Sequence, residues 1–386
     1  MNHSTHTDLA SIREKLRHYL VEELIPFEKS QGISYEDQLS RDFAKTIWKR
    51  SRELGFYGLQ LPVELGGIGL SVSDLCVLKD DVAASGAILS PHVLGDWGGP
   101  SRIGNLVNVA TPYQIENYML PVARGEKGAC FAMTETHSGS DATSIQTRAV
   151  RDGDHYIISG HKHYITASAF ADVAVVMCVT DPDKGADGIS AILVDLDAPG
   201  VSLSYDYLPM TGQHVDADIH FDNVRVPRAN LLGEEGSGFK IAMARVNVNR
   251  LLHCPNMIGL ARMAYRMSLD YASQRRQFGG PISRFQAIQH MLADMATGLY
   301  ACEGMVKAAA LMADRGEDVR KEAAMCKLFV SEKCFEIADK AVQIHGNVGV
   351  TKNHPVEFAF RRLRLYRIVT GTSEIQRNTI AKAVLA

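Results

Sequence analysis

The segment FAMTETHSGSD, Phe131 to Asp141, decides how this chain is read. It opens a β-rich stretch with small and hydroxyl-bearing residues: Thr134, Ser138, Gly139 and Ser140. Glycine lets backbone N–H groups approach a flat or anionic ligand, and hydroxyls add donors. Taken alone, the segment also reads as a Ser/Gly-rich loop with no ligand.

Working outward, the texture of the sequence changes near Gly128. YIISG, YITAS, VAVVMCV, ISAILVDL and DIHFDNVRV are rich in Val, Ile, Tyr and Thr, and the pairs Asp152-Gly153, Asp181-Pro182 and Pro199-Gly200 punctuate them. This pattern predicts a compact antiparallel β unit, a barrel or sandwich, over residues 128–236, ending in the glycine cluster Gly233 to Gly238. Before it, residues 1–127 read as helical. Leu16, Tyr19, Leu20 and Leu24 recur at three- and four-residue steps, and GLQLPVELGGIGLS (Gly58 to Ser71) reads as a loop between helices. After it, residues 237–386 return to helical period. Ile288, Met291, Leu292, Met295, Leu299 and Cys302 trace one face; Phe335, Ala338, Val342 and His345 trace another. An antiparallel four-helix bundle is expected there, with a kink or break at Pro255. The fold class is α+β: helical domain, β-barrel domain, helical bundle.

Bulk properties narrow the function classes. With 386 residues, two to three domains are expected. Hydrophobic content of 46%, charge of 22% and a net charge of −3 describe an ordinary globular chain, without the Lys/Arg block that would grip nucleic acid or a membrane surface. No apolar run approaches a membrane span, and MNHSTHTDLA lacks a signal core. Seven scattered cysteines without a Cys-x-x-Cys pair fit reduced thiols in a cytoplasm better than a disulfide frame or zinc site. His161 and His163 share a strand face, but two ligands without a third do not make a metal site, and none is expected.

Three further segments remove the ambiguity of the first. YASQRRQFG (Tyr271 to Gly279) places Arg275, Gln277 and Phe278 at a helix end; QIHGNVGV (Gln343 to Val350) carries Gln343, Gly346 and Asn347; RIVTGTSEIQR (Arg367 to Arg377) closes the chain. In this order and spacing the four segments resemble the acyl-CoA dehydrogenase family of flavoproteins, over essentially the whole chain.

The resemblance implies a homotetramer, or a dimer, binding FAD between the middle and C-terminal domains with help from a neighbouring subunit. Matched by motif, Phe131, Met133, Thr134, Gly139 and Ser140 would hold the flavin and ribityl region, and Tyr164 and Thr166 would cover the ring. Arg275, Gln277, Phe278 and Gln286 would reach the ADP part, Arg275 offering a fork to the pyrophosphate. Gln343, Gly346 and Asn347 would approach from the partner, and Thr372 and Glu374 would close the site. Two positions depart from the family pattern: Asn347 stands where a second glycine is usual, and Ala167 where an asparagine is.

The larger departure is Thr370. In the family a glutamate directly before the Gly-Thr pair removes the α-proton of a thioester while hydride leaves the β-carbon. A hydroxyl has no useful basicity near neutral pH. The minority seat, on the first bundle helix before an arginine, is Asn249 before Arg250, and Asn is no base either. The stretch SPHVLGDWGGPSRIG (Ser90 to Gly104) matches the acyl-pocket region, where relatives acting on ring-shaped thioesters use an aspartate. Asp96, beside Trp97, is therefore the candidate base, with His92 second; Asp before Trp-Gly-Gly-Pro also suits a turn or helix cap. Thr370 keeps the backbone N–H that grips the thioester carbonyl in the family. Arg250, Asn249, Trp97 and Ser140 are expected on the substrate side, Arg250 reading equally as a structural ion pair.

The resemblance thus implies an FAD-dependent oxidoreductase of a cyclic or conjugated acyl-CoA thioester, desaturating or aromatising it with a relocated aspartate. Electron-transferring flavoprotein would be the acceptor. An oxygenase using O₂, a CoA-thioester desulfinase or lyase, and a non-catalytic FAD-binding protein are the other readings.

Overall fold

Leu16, Tyr19, Leu20 and Leu24, the residues whose spacing predicts the first helix, are all buried in the computed structural model, which describes residues 9–385. They lie on a helical run whose middle, Tyr19–Leu24, widens to a π-helical turn between Leu9–His18 and Ile25–Ser30. The first eight residues of MNHSTHTDLA lie outside the described residues.

The chain packs as two compact units, one of residues up to Asp37, Leu70–Ser90 and Asn247–Ala386, the other of Gln38–Gly69 and Pro91–Val246. The helical zone before residue 128 thus contributes to both, and we keep the three sequence zones as a proposal about domains, distinct from these packing units.

In the second unit the strands are β1 (Ala129–Ala132), β2 (Arg148–Asp152), β3 (His155–Thr166), β4 (Val173–Val179), β5 (Ile189–Asp195), β6 (Val201–Ser204), β7 (Asp216–Pro227) and β8 (Leu231–Leu232). They form one sheet in the order β6-β7-β3-β2-β4-β5-β8, with β1 added to β4. The turn-rich sequence predicts antiparallel pairing throughout, yet β1 runs parallel to β4, and β2 meets β4 in parallel at Arg148 and Val179. The hydrogen-bonded path runs open from β6 to β8. VAVVMCV has no polar alternation because both faces of β4 are covered. Val173, Val175 and Met177 enter one apolar cluster, Ala174, Val176 and Cys178 another. Alternate residues of a strand face opposite ways, so only a doubly covered strand can be apolar at every position. GLQLPVELGGIGLS is a loop with one short turn of 3₁₀ helix, Val63–Leu65. A side chain at Gly67 would strike the Leu61 carbonyl, so the loop folds back on itself only with glycine there.

The first unit is helical. From Asn247 on it takes in helix Gly238–Gln274, then the long helices Gln286–Asp314 and Arg320–His345, followed by Pro355–Leu365 and Ser373–Leu385. The first of them runs continuously through Pro255 instead of breaking there. Within the unit, Gly259 faces Asp80 and Ala83 so closely that any Cβ would collide, which lets helix Val72–Ala84 approach its neighbour. Arg262 then reaches Asp80 at 2.5 Å and Glu303 at 2.8 Å. Among the described residues, no helix is long and apolar enough to cross a membrane.

Candidate active site

In the β unit the loop after β1 is built around a buried charge pair. Lys162, on β3, is fully buried and donates to Glu135 Oε1 at 2.8 Å and to the Met133 carbonyl at 3.1 Å. Glu135 also accepts from the backbone N–H of Gln146 and Thr147 and from the Thr147 hydroxyl at 2.6 Å. Burial works against the Glu135 carboxylate, but Lys162 and the Thr147 bonds outweigh it and hold its pKa below the ordinary range. Sequence reasoning missed both residues; a Glu inside a hydroxyl-rich loop and a Lys inside an apolar strand were the available signal. This pair fixes the loop so that Gly139 and Ser140 are exposed, with open space above Gly139. Phe131 and Met133 are half-buried, and the Arg245 guanidinium lies 4.6 Å from the Phe131 ring centre. Burial, with the nearby Arg102 charge, brings the Arg245 pKa down to about 9.

Tyr164 is 55% exposed, and its φ of 56° belongs to the left-handed region, as does that of Ala167 (68°). Among the described residues six non-glycines have positive φ, and Phe278 and Thr370 are two more of them. Four of the six, Tyr164, Ala167, Phe278 and Thr370, fall at positions the family resemblance singles out, and tolerated backbone strain tends to collect at functional sites.

Asp96 and its neighbours form a tight turn. The Asp96 N–H donates to the Pro91 carbonyl at 3.0 Å, and Arg102 donates to the Asp96 carbonyl through Nε (3.0 Å) and a terminal nitrogen (2.7 Å). The Asp96 side chain is half-buried and Trp97 is buried. His92 is a packing residue. Its ring is fully buried, edge-on to Trp97 and Phe170, and its Nδ1 accepts from Trp48 Nε1 at 3.2 Å. Burial draws its pKa from 6.5 down to about 3, so it is neutral and a very weak base at neutral pH. That removes the basicity the sequence suggested for it.

In the helical unit the C-terminal segment is a sharp turn. Thr370 has φ 58° and Gly371 φ 93°. Their carbonyls are held from below: Lys327 Nζ donates to the Gly371 oxygen at 2.7 Å, and Gln376 Nε2 to the oxygens of Gly371 (2.9 Å) and Thr370 (3.3 Å). Thr372 Oγ1 accepts from the Ile375 N–H, starting the last helix, while Ser373 bonds Glu332 at 2.6 Å. Glu374 is exposed. Arg250 is buried with one terminal nitrogen on Asn247 Oδ1 at 3.0 Å, and a Cβ added to Gly371 would stand 3.5 Å from the other. Its Nε is buried without a partner among the described residues, and no carboxylate accompanies it, which disfavours the structural ion-pair reading. Asn249, one residue earlier, is half-buried. Lys327, also missed in the sequence, is buried, and that burial lowers its pKa to about 8.

Arg275, Gln277 and Phe278 stand at the end of helix Gly238–Gln274 on a two-stranded turn, Arg276–Gln277 against Gly280–Pro281. All three are exposed, Phe278 by 87%, as is Gln286 at the start of the next helix. Gln343, Gly346 and Asn347 are exposed at the end of Arg320–His345, with open space at Gly346. An 87%-exposed phenylalanine beside an arginine and amides suits a planar, anionic group. An exposed aromatic face, an exposed fork of N–H donors and uncrowded glycines fit the flavin, pyrophosphate and adenine of FAD.

The chain matches three sequence families end to end: acyl-CoA dehydrogenase N-terminal domain over residues 6–126, middle domain over 130–224 and C-terminal domain over 236–385. It is 38% identical to the caffeyl-CoA reductase-Etf complex subunit CarC of Acetobacterium woodii, over 97% of this chain and 99% of that protein. It is 37% identical to the 3-(aryl)acrylate reductase of Clostridium sporogenes, over 97% of each. Its fold superposes on butyryl-CoA dehydrogenase from Megasphaera elsdenii with a TM-score of 0.89 and 27% identity, over the whole of both chains.

Proposed function

Because the chain belongs to the acyl-CoA dehydrogenase family and is a flavin-dependent acyl-CoA oxidoreductase that binds FAD, we propose that its thioester carries a conjugated or cyclic acyl group and that Asp96 is its base. The observation that carries the proposal is the C-terminal turn: held by Lys327 and Gln376, it presents a Thr370 hydroxyl at the position where the family's glutamate stands. The scaffold for gripping a thioester carbonyl is kept and the carboxylate is not. Two of its relatives act, by name, on caffeyl and 3-arylacrylate groups, and this supports a conjugated substrate.

FAD, when bound, supplies the acceptor or donor of the hydride. The chain's own residues do the rest. The N–H of Thr370 donates to the thioester oxygen, stabilising negative charge as the α-proton leaves. Asp96 takes that proton from its place on the turn beside buried Trp97. Arg250 and Asn249 line the substrate side, Arg250 meeting an anionic part of the thioester with the Nε that finds no protein partner. Arg275, Gln277, Phe278, Gln286, Thr372 and Glu374 would hold the cofactor, Gln343, Gly346 and Asn347 would reach a neighbouring subunit's, and Phe131, Met133, Thr134, Gly139, Ser140, Tyr164 and Thr166 would serve its flavin part. Electron-transferring flavoprotein is the partner in this reading, as the name of the Acetobacterium relative indicates for that protein, and the protein is proposed to work in the cytoplasm as a homotetramer or dimer.

The test is anaerobic reduction of the bound flavin by 3-arylpropanoyl-CoA and cyclohexene-carboxyl-CoA, with butyryl-CoA as straight-chain control. The wild type is expected to bleach with the first two, and Asp96→Asn to slow bleaching by roughly a hundred- to ten-thousand-fold. An unaffected Asp96→Asn variant removes Asp96 from the reaction; a preference for butyryl-CoA removes the conjugated substrate.

A further inference from the structure

His161 and His163 lie two residues apart on β3, so their side chains emerge on one face of the sheet. The pairing of β3 with β7 shifts register between Lys162, opposite Ile219, and Ile165, opposite Ala217. That irregularity, with Tyr164 as its left-handed residue, brings Asp218 of β7 between the two imidazoles. His161 Nε2 stands 3.0 Å and His163 Nδ1 2.5 Å from the same oxygen, Asp218 Oδ2. The three atoms lie within 4.8 Å of one another. No linear spacing joins residue 218 to 161 and 163; the strand register alone supplies the third ligand.

We propose that His161, His163 and Asp218 form a binding site for one divalent transition-metal ion of the Zn²⁺ class, on the outer face of the β3–β7 pair. Two imidazole nitrogens and one carboxylate oxygen are the borderline donor set that zinc, cobalt and nickel accept, and three protein ligands leave a position for water. Two ligand atoms on one ion at about 2.0–2.1 Å stand roughly 3 Å apart. The His161 side already has this spacing, and His163 has to retreat by about half an ångström.

The surroundings are those of an oriented ligand set. Asp218 Oδ1 is held by the Tyr164 N–H at 3.1 Å, so Oδ2 alone is aimed at the histidines, as a monodentate ligand steadied from behind would be. The His161 ring is stacked on His220 at 4.0 Å, and His220 Nε2 lies 3.4 Å from Ser204 Oγ. The Tyr207 ring meets those of His163 and Tyr164 edge-on beside the same carboxylate. Exposure rises from 7% at the Asp218 side chain to 37% at His161, giving an ion a path from solvent.

The experiment uses the full-length, FAD-loaded protein, stripped with a chelator, dialysed against Zn²⁺ and assayed for metal by mass spectrometry. One zinc per chain is expected. His161→Ala and Asp218→Asn are expected to lose it, and His220→Gln, adjacent but not a ligand, to keep it. Should Asp218→Asn misfold for want of its bond to Tyr164, His161→Ala carries the test, with retained FAD and an unchanged circular dichroism spectrum as proof of folding. Absence of saturable zinc in the wild type overturns the proposal, as does zinc that His161→Ala binds equally well.

Discussion

At the scale of single residues, Lys162 is the side chain that ties down the loop after β1. It is 0% exposed and its partner Glu135 3%, so removing one leaves the other's charge stranded in a low-dielectric interior. Lys162→Met is expected to destabilise the protein by about 3–5 kcal/mol, measured by urea unfolding, with loss of FAD as the loop relaxes. Glu135→Gln in the same background should recover part of that loss, because the stranded charge disappears; no recovery would mean that the pair acts through something other than charge. Thr370 is the other residue of note. A β-branched side chain in the left-handed region is an outlier, and this one sits in the turn that Lys327 and Gln376 clamp. The clamp acts on backbone carbonyls, so the shape of the turn does not depend on the Thr370 side chain.

At the scale of elements, the short helix Ser90–Val93 and helix Arg41–Glu53 meet through His92 and Trp48. Because burial holds the folded His92 pKa near 3 against 6.5, the unfolded chain binds a proton there that the folded chain refuses. That difference favours unfolding at pH below about 6.5, and stability should fall by up to roughly 1.4 kcal/mol per pH unit down to pH about 3. His92→Gln, which keeps an acceptor for Trp48 but does not titrate, is expected to flatten the dependence between pH 6.5 and 4.5 in urea-midpoint measurements. An equal slope in wild type and variant would show that other groups control it. Element by element, the strands were legible: YIISG, VAVVMCV and DIHFDNVRV fall within β3, β4 and β7. Their pairing was not. Val and Ile content reports that a segment prefers a pleated surface, but says nothing of which neighbour it meets, so the parallel β1–β4 pairing was missed. The histidines of β3 were legible as sharing a face; their partner on β7 was not, because a bulge set its position.

At the scale of the whole molecule, all seven cysteines are free and buried. Burial pushes the thiols of Cys76, Cys130, Cys178 and Cys326 up to about 12, far from the thiolate that reacts. The native protein is expected to be inert to a thiol reagent such as DTNB and to titrate seven thiols after denaturation. A thiol that reacts rapidly in the native state would mark an opening that burial does not admit. The even scatter of cysteines through the chain already argued for this, since a disulfide frame needs paired positions and a zinc site needs local spacing.

Local order was written in the chain itself. Helix and strand type follow from the period of apolar residues, and the family from residue types at fixed spacing in four segments. What only the folded molecule decided were relations between residues far apart in sequence: Glu135 under Lys162, Lys327 beneath Gly371, Trp48 against His92 and Asp218 between two histidines. The physical reason is that a buried charge or a ligand set is satisfied by whatever the tertiary packing brings within about 3 Å, and linear spacing carries no record of that distance.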